Sequence, residues 1–354
     1  MEFKKLSLLA PLLLGVNIAS AAAPSMPHRF DLMRLGSHNF AKRSLALAPA
    51  SVATASGTPN FTFFDMPSST NTETGAINLG VGGAASHVVG CYVPNASTTN
   101  DFDGFEYTLT THGKTSTATM KTILPAKTTD FCAYGINDSD AITGVYSPTG
   151  VPAGVEYGFV LNGSKITQLV GTMPNNCVTL AMSINDSGTV VGQFQTNTNC
   201  ASDDGWAEYG FVWSNGVFTP VTGPAGAIDA APWAINNAGT MVGLSLNSNE
   251  TAIDAWILQN GTYTPISYPG STITVPTSIN DSGDIVGYYC SDTFDNCNNN
   301  EGPYVGFLYS GGTYTTITVP GMAWGYPSGI NNQGVISGSY EDNNGYWRGF
   351  MIYP

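Results

Sequence analysis

The stretch Ser183–Phe194 reads SINDSGTVVGQF, and a near copy, SINDSGDIVGYY, occupies Ser278–Tyr289. Each copy consists of an apolar segment, a short polar turn and a second apolar segment. The Asn and Asp side chains of such a turn bond the local backbone, and glycine accepts the left-handed conformation that a tight turn requires. The pattern therefore predicts two antiparallel strands joined by a hairpin turn.

The same unit recurs along the chain, always beginning with an Ile-Asn pair. We call its isoleucines the anchor isoleucines: Ile77, Ile136, Ile184, Ile235, Ile279 and Ile330. After each turn comes a strand with one interior glycine, then a variable loop, a strand beginning with Gly-Phe (Ala-Trp in the fourth unit) and a last strand. An interior glycine weakens a strand unless another group approaches closely. We therefore expect these glycines to mark tight packing between repeats.

Successive anchors lie 44 to 59 residues apart, and a propeller blade of four strands typically needs about 40–50. The last unit ends without a fourth strand, while NFTFFDMP at Asn60–Pro67 stands alone before the first unit with the pattern of one. Pairing these ends would remove both open sheet edges. We predict an all-β fold, a six-bladed β-propeller of four-stranded blades, closed by the N-terminal strand in the last blade. An open stack is the alternative.

These units resemble the extracellular HAF-repeat family, whose repeats read roughly "INnsGqivG…aFl…G". The resemblance spans about residues 61 to 354, with Gly-Phe or Ala-Trp where the family often has His-Ala-Phe. The first unit departs from the pattern in its enlarged turn, and the second in Asp140, which replaces the turn glycine. The resemblance implies a repeated β fold and export, and it implies no site.

The local composition of the sequence divides the chain into three segments. Residues 1–23 have the basic, apolar and small-residue regions of a signal peptide, and the apolar run of about 13 residues is shorter than a membrane span. Residues 24–56 are a linker or a propeptide, and 57–354 form the propeller. The protein is expected to be secreted, with the periplasm as the other destination, and to be a monomer.

Charge excludes one class of partner. The sequence has a formal charge of −14, and from Gly57 onward five basic residues face 23 acidic ones, a net charge of −18. Such a body repels nucleic acid backbones and favours cations or neutral ligands. The basic leader, with Arg29, Arg34, Lys42 and Arg43, could lie on this body as a propeptide.

The six cysteines of an exported chain suggest three disulfides. Their positions in the blades predict the pairs Cys290–Cys297, Cys177–Cys200 and Cys91–Cys132, all at the end of the blades that carries the long loops. Loops on a repeated scaffold are where function usually lies, whereas the short, similar turns at the other end are expected to be structural.

Acidic side chains crowd the long loops. Oxygen-rich clusters in an exported protein suit Ca²⁺, although no twelve-residue calcium loop is present. The candidate metal ligands are Asp203, Asp204, Asp292, Asp295 and Glu301. A solvated acidic rim is the alternative.

Aromatic residues are interspersed with these acids, and aromatic faces beside carboxylates commonly hold sugar rings. The candidate ligand-binding residues are Tyr134, Trp206, Trp233, Tyr304, Trp324, Trp347 and Glu208. Tyr134 and Trp233 are expected near the mouth of the central channel. Packing within and between blades is the competing interpretation of all these aromatic side chains.

The sequence favours a binding module over an enzyme. No Gly-x-Ser-x-Gly motif occurs, and no serine or cysteine has an evident base. We predict an extracellular recognition domain for carbohydrate or a surface protein. The alternatives are a secreted glycoside hydrolase that uses rim carboxylates, which would need a Glu or Asp with a raised pKa, and a structural envelope protein.

Overall fold

The computed structural model describes residues 60–79, 85–94, 102–112, 115–125, 128–201, 207–247, 252–293, 296–297, 304–319 and 324–354. These residues contain 24 β-strands. The expected signal peptide (1–23) and the linker or propeptide (24–56) lie outside them, so both assignments stay predictions.

The strands form antiparallel sheets of four, which we number in chain order. Sheet 1 holds β2 (Ser69–Asn78), β3 (Ala85–Pro94), β4 (Asp103–His112) and β5 (Thr115–Ile123). Sheet 2 holds β6 (Thr128–Ile136), β7 (Ile142–Pro148), β8 (Tyr157–Asn162) and β9 (Lys165–Leu169). Sheet 3 holds β10 (Asn176–Ile184), β11 (Val190–Thr196), β12 (Ala207–Ser214) and β13 (Val217–Val221).

Sheet 4 holds β14 (Ala231–Ile235), β15 (Met241–Leu246), β16 (Ile253–Gln259) and β17 (Thr262–Ile266). Sheet 5 holds β18 (Ile273–Ile279), β19 (Ile285–Cys290), β20 (Tyr304–Ser310) and β21 (Thr313–Ile317). Sheet 6 holds β22 (Trp324–Ile330), β23 (Ile336–Glu341), β24 (Trp347–Tyr353) and β1 (Asn60–Phe64).

The all-β prediction is confirmed, and the four-stranded antiparallel sheets fit the blades of a β-propeller. Sheets 5 and 6 are linked by one parallel bridge between Val305 and Gly325, which joins them into a single eight-stranded sheet. β1 pairs with β24 in antiparallel register, from Asn60 opposite Tyr353 to Phe64 opposite Gly349.

Strand order gives every sheet two different ends. Antiparallel strands one and two, and three and four, are joined at what we call the turn end. The links from strand two to three and from sheet to sheet lie at the opposite, connection end. The three disulfides pair as predicted, Cys91–Cys132, Cys177–Cys200 and Cys290–Cys297, and the first of them joins sheet 1 to sheet 2.

The interior glycines of the second strands have a different cause from the one that the sequence suggested. A side chain at Gly192 would collide with the Leu180 carbonyl oxygen, which belongs to the neighbouring strand of the same sheet. That neighbouring strand, β10, carries a β-bulge between Ala181 and Ser183. The expectation of contacts between repeats at these glycines is therefore wrong, because the close approach is internal to each sheet.

Tight packing between repeats occurs instead at the Gly-Phe pairs. A side chain at Gly104 would meet the Phe131 ring of sheet 2, and one at Gly306 would meet Pro327 of sheet 6. The paired aromatic residues are at most 1% exposed: Phe105, Phe159, Phe211, Trp256, Phe307 and Phe350. At Gly104 and Gly306 the pair therefore buries a ring and lets the next sheet approach beside it, whereas a side chain at Gly349 would meet Phe64 of its own sheet.

Candidate functional site

The first strands of neighbouring sheets contact one another, from β2 and β6 through to β18 and β22, and β22 also contacts β2. Side chains on these strands meet at two levels. One level lies at the turn end, at the asparagines that follow the anchor isoleucines. The other lies four residues before each anchor isoleucine, nearer the connection end.

We call the asparagine that follows each anchor isoleucine the anchor asparagine. At the turn level each anchor asparagine uses both the oxygen and the nitrogen of its side-chain amide in hydrogen bonds. The Asn185 Oδ1 accepts the backbone N–H of Thr189 at 3.0 Å and caps its own turn. Its Nδ2 donates to the Asn236 carbonyl of the next sheet at 3.1 Å. Aspartate could not replace it, because a carboxylate has no donor.

The same donation recurs from sheet to sheet throughout the described chain. The Nδ2–carbonyl distances are 2.6 Å for Asn78 to Asn137, 3.0 Å for Asn137 to Asn185, 3.0 Å for Asn236 to Asn280, 3.3 Å for Asn280 to Asn331 and 3.2 Å for Asn331 back to Asn78. These asparagines form a cycle, which we call the amide belt. All of its members are buried.

The turn end also has a small polar pocket, with a volume of about 80 Å³. It is lined in part by the residues that follow the anchor asparagines: Asp138, Asp186, Asn237, Asp281 and Asn332. The backbone N–H of Asp138 donates to Asp186 Oδ1 at 2.8 Å, and that of Asp186 donates to Asn237 Oδ1 at 2.8 Å. The lining thus includes a hydrogen-bonded series of three aspartates and two asparagines.

Charge accumulates in this pocket. Partial burial raises the pKa of Asp138 most, and the charges of Asp186, Asp281 and Asp140 raise it further. The backbone N–H of Leu79, which donates to Asp138 Oδ1 at 3.0 Å, acts in the opposite direction. The pocket therefore suits protonated or hydroxylated groups better than anions.

The second level is apolar at most positions. Cys132, Leu180, Ala231, Val275 and Tyr326, one from each of sheets 2 to 6, belong to one buried cluster. In sheet 1 the equivalent residue is Glu73, which is 2% exposed. Neither of its carboxylate oxygens has a hydrogen-bond partner among the described residues.

A group of aromatic rings from sheets 5 and 6 includes Tyr326, which interacts electrostatically with Glu73. The Tyr326 ring is 5.5 Å from that of Tyr288 and 5.3 Å from that of Trp347, and the Tyr288 and Tyr304 rings are 5.5 Å apart. The Tyr288 hydroxyl is buried and has no hydrogen-bond partner among the described residues. We call this set, with Glu73, the Glu73 cluster.

Electrostatics in the Glu73 cluster follow from burial. Desolvation raises the pKa of the Glu73 carboxyl well above its ordinary value. Desolvation also raises the pKa of Tyr326 strongly, and the Glu73 charge adds to that rise. Glu73 is therefore a carboxyl that favours its protonated form, which is the property expected of a general acid.

The sequence-predicted ligand residues are mostly packed. Tyr134 is 9% exposed and Trp233 3%, and both belong to the large core cluster. Trp347 and Tyr304 are partly buried, and the Tyr304 hydroxyl donates to the Cys297 carbonyl. Glu208 is buried and accepts from Gln195 Nε2 at 2.8 Å. Their burial favours the packing interpretation.

The remaining candidates are only partly covered. Trp206, Asp203, Asp204, Asp295 and Glu301 lie outside the described residues, and only the backbone of Trp324 is described. Asp292 accepts from the Thr293 backbone and from Asn296 Nδ2, at 2.7 and 3.1 Å. Within the described ranges no group of three or more His, Cys, Asp or Glu side chains is arranged for a metal ion. Calcium binding stays a prediction.

Exposed apolar side chains concentrate at the connection end. Among the described residues, five of the seven large hydrophobic side chains that are exposed belong to this end: Leu124, Val170, Tyr209, Ile228 and Tyr346. Tyr346 is 41% exposed and its loop is fixed, since the Tyr346 N–H donates to Asp342 Oδ1 at 3.0 Å and the Arg348 guanidinium lies 5.3 Å from its ring centre.

Sequence analysis missed both levels as sites. The turn end was expected to be structural, yet it holds the polar pocket. A signal for Glu73 existed in the alignment of the repeats, where glutamate stands at a position otherwise occupied by Cys, Leu, Ala, Val and Tyr.

No protein-family model and no curated protein matches the chain. Solved structures that it resembles include the β-propeller domain of the Trilobed protease from Pyrococcus furiosus (9% identity, TM-score 0.46, 79% of this chain and 92% of that one). A Hadza microbial sialidase matches at 12% identity and a TM-score of 0.47, over 79% of this chain and 65% of the sialidase chain.

A gluconolactonase from Xanthomonas campestris matches at 10% identity and a TM-score of 0.45, over 86% of this chain and 94% of that one. Structural similarity at these identities and TM-scores gives no evidence for the activity of this chain. Among the described residues, no helix has the length and hydropathy of a membrane span.

Proposed function

We propose that residues 57–354 form one closed, six-bladed β-propeller of the HAF-repeat type. The amide belt supports closure, because its last hydrogen bond runs from Asn331 in sheet 6 to Asn78 in sheet 1 at 3.2 Å. The pairing of β1 with β24 supports it as well, since it supplies sheet 6 with its fourth strand.

Export is the second part of the proposal. Three disulfides without a free cysteine among the described residues suit an oxidising compartment. The basic and apolar N-terminal residues support a signal peptide. The protein would then act outside the cytoplasm, in the periplasm or beyond the cell.

The function that the geometry supports best is carbohydrate recognition at the connection end. One observation carries it: the exposed Tyr209 and Tyr346 lie at that end of an acidic body, and the loop of Tyr346 is fixed by Asp342 and Arg348. A fixed ring offers a flat apolar surface to a sugar, and the neighbouring charged groups can bond its hydroxyls.

The test measures binding to a panel of soluble glycans through the rise in the thermal-unfolding temperature. A ligand that binds only the folded state at 100 times its dissociation constant adds about 2.7 kcal/mol of stability. Tyr209→Ser and Tyr346→Ser together should weaken retention at least tenfold. Val217→Ser is the matched control, because Val217 is 63% exposed but lies at the turn end.

Equal binding by the double variant and the control would contradict the proposed face. A complete lack of glycan binding, together with capture of a defined surface protein that depends on Tyr209 and Tyr346, would replace carbohydrate by protein as the ligand.

A secreted glycoside hydrolase is the second candidate, and Glu73 favours it. That mechanism needs a carboxyl with a raised pKa, and Glu73 has one in a buried position next to Tyr326. At 2% exposure, Glu73 would meet a substrate only after the rings around it had moved. The hydrolase would be supported if the wild type cleaves a glycan and Glu73→Gln abolishes that cleavage without unfolding the protein. Glycan binding without cleavage would contradict it.

A further inference from the structure

The second repeat breaks the turn pattern at Asp140. In the turns of sheets 3 to 6 a glycine stands at this position with φ between 78° and 82°: Gly188, Gly239, Gly283 and Gly334. Asp140 adopts φ 58°, a left-handed conformation that glycine takes more readily than aspartate. A contact of the side chain should offset that cost.

Asp140 contacts sheet 1. Its Oδ1 accepts from Asn78 Nδ2 at 3.0 Å and lies 3.2 Å from His87 Nδ1, on β3. The same His87 nitrogen lies 2.9 Å from Glu106 Oε1, on β4. The imidazole of sheet 1 is therefore placed between a carboxylate of its own sheet and a carboxylate of sheet 2.

Two carboxylates around one ring nitrogen favour the imidazolium. The Glu106 carboxylate, 2.9 Å from Nδ1, raises the pKa of His87 most, the charge of Asp140 adds to the rise, and burial opposes it. The nearby His87 lowers the pKa of Glu106 in turn. Lys121 Nζ, which is largely exposed, lies 3.8 Å from Glu106 Oε2.

The covalent link between these two sheets lies at the connection end. The Cys91–Cys132 disulfide joins β3 to β6 there. His87 is four residues from Cys91 on β3, towards the turn end. Opening of the junction between sheets 1 and 2 at the turn end is therefore opposed by the contact between His87 and Asp140, together with the donation from Asn78.

We propose that His87, Glu106 and Asp140 form a pH-dependent clamp between sheets 1 and 2, closed while His87 is protonated and both carboxylates are ionised. The clamp's contribution is complete below the unfolded-state pKa of histidine, about 6.5, and is lost as pH rises through the higher folded value. On the acidic side it is lost as pH falls through the lowered pKa of Glu106. Asp138 lies in the same turn as Asp140, and its Oδ1 accepts from the Leu79 N–H at 3.0 Å.

The test compares the wild type with Asp140→Gly by thermal unfolding at pH 5.5 and pH 9. The variant restores the glycine of the other turns, so a purely conformational role predicts that it melts higher at both pH values. The clamp predicts that it melts lower than the wild type at pH 5.5, by about 2 °C or more, and equal or higher at pH 9. A rise at both pH values overturns the proposal.

A second measurement is independent of stability. The chain has four histidines, so the imidazole signals can be resolved by NMR and His87 assigned by its loss in His87→Gln. The clamp predicts that the His87 pKa falls in Asp140→Gly and in Asp140→Asn, which keeps a residue tolerant of positive φ. An unchanged His87 pKa in both variants overturns the proposal, and Asp140→Asn serves if Asp140→Gly does not fold.

Discussion

The amide belt and Glu73 belong to two levels of the first strands, a few residues apart, yet their buried polar groups differ in hydrogen bonding. In the belt each asparagine amide is buried and bonded at both ends, for example in Asn236, whose Oδ1 accepts from Thr240 and whose Nδ2 donates to Asn280. In the cluster the Glu73 carboxyl is equally buried, and neither oxygen has a hydrogen-bond partner among the described residues.

This difference separates structure from candidate function. The belt repeats one solution from sheet to sheet, so its residues are explained by stability alone. Glu73 costs stability, because burial of an unbonded carboxyl is unfavourable, and no other repeat has a carboxyl there. A residue that departs from the repeat at a cost is where a further role is best sought.

Breaking the belt should have the largest effect. Asn236→Asp keeps the acceptor that caps its turn but loses the donor and places a carboxylate against the Asn280 carbonyl. We expect the free energy of unfolding to fall by about 3 kcal/mol at pH 8, measured by urea denaturation. Asn215→Asp, in an exposed turn, is the control and should change stability by less than about 0.5 kcal/mol. Equal effects of the two variants would contradict a stabilising role of the belt hydrogen bonds.

Removing the charge of Glu73 should raise the free energy of unfolding, whereas breaking the belt lowers it. Because its folded pKa is raised, the native state holds more protons than the unfolded chain above pH 4.5, and stability falls as pH rises. Glu73→Gln should therefore raise the free energy of unfolding by roughly 1 kcal/mol or more at pH 8. At pH 4 the two proteins should be equally stable. A variant less stable than the wild type at pH 8 would mean that Glu73 makes a favourable contact.

The smallest effect is expected at the polar pocket, which lies next to the belt but is open to solvent. The pKa of Asp138 is raised, so ionisation of this group also lowers stability as pH rises. After allowance for screening, Asp138→Asn should add about 0.5 kcal/mol at pH 8 in low salt. The gain should shrink at 1 M salt, where the Debye length is about 3 Å. A gain that is independent of salt would point to burial alone.

The repeat made most of the fold predictable. Ile-Asn pairs, turn residues and Gly-Phe pairs recur in the sequence, and with them came the four-stranded sheets and the disulfide partners. The predicted cause of the interior glycines was wrong. The close backbone approach at these glycines depends on a bulge in the first strand, as at Ala181 and Ser183, and a bulge leaves no clear mark in the sequence.

The candidate sites were less predictable. The side chains of Tyr134 and Trp233 are large enough either to bind a ligand or to fill the core, and only the packing of neighbouring first strands decides between the two. The bonds of the belt are equally hidden, because the partner lies 44 to 59 residues further along the chain for five asparagines and 253 residues back for Asn331.

The pairing of β1 with β24 sets an order of events during synthesis. Phe64 leaves the ribosome long before its partner Gly349 has been made. The N-terminal strand therefore waits with an unpaired edge while each later sheet is added. A chain that stops short of β24 would keep that edge exposed, so cells that make truncated copies should degrade or aggregate them instead of accumulating a smaller folded protein.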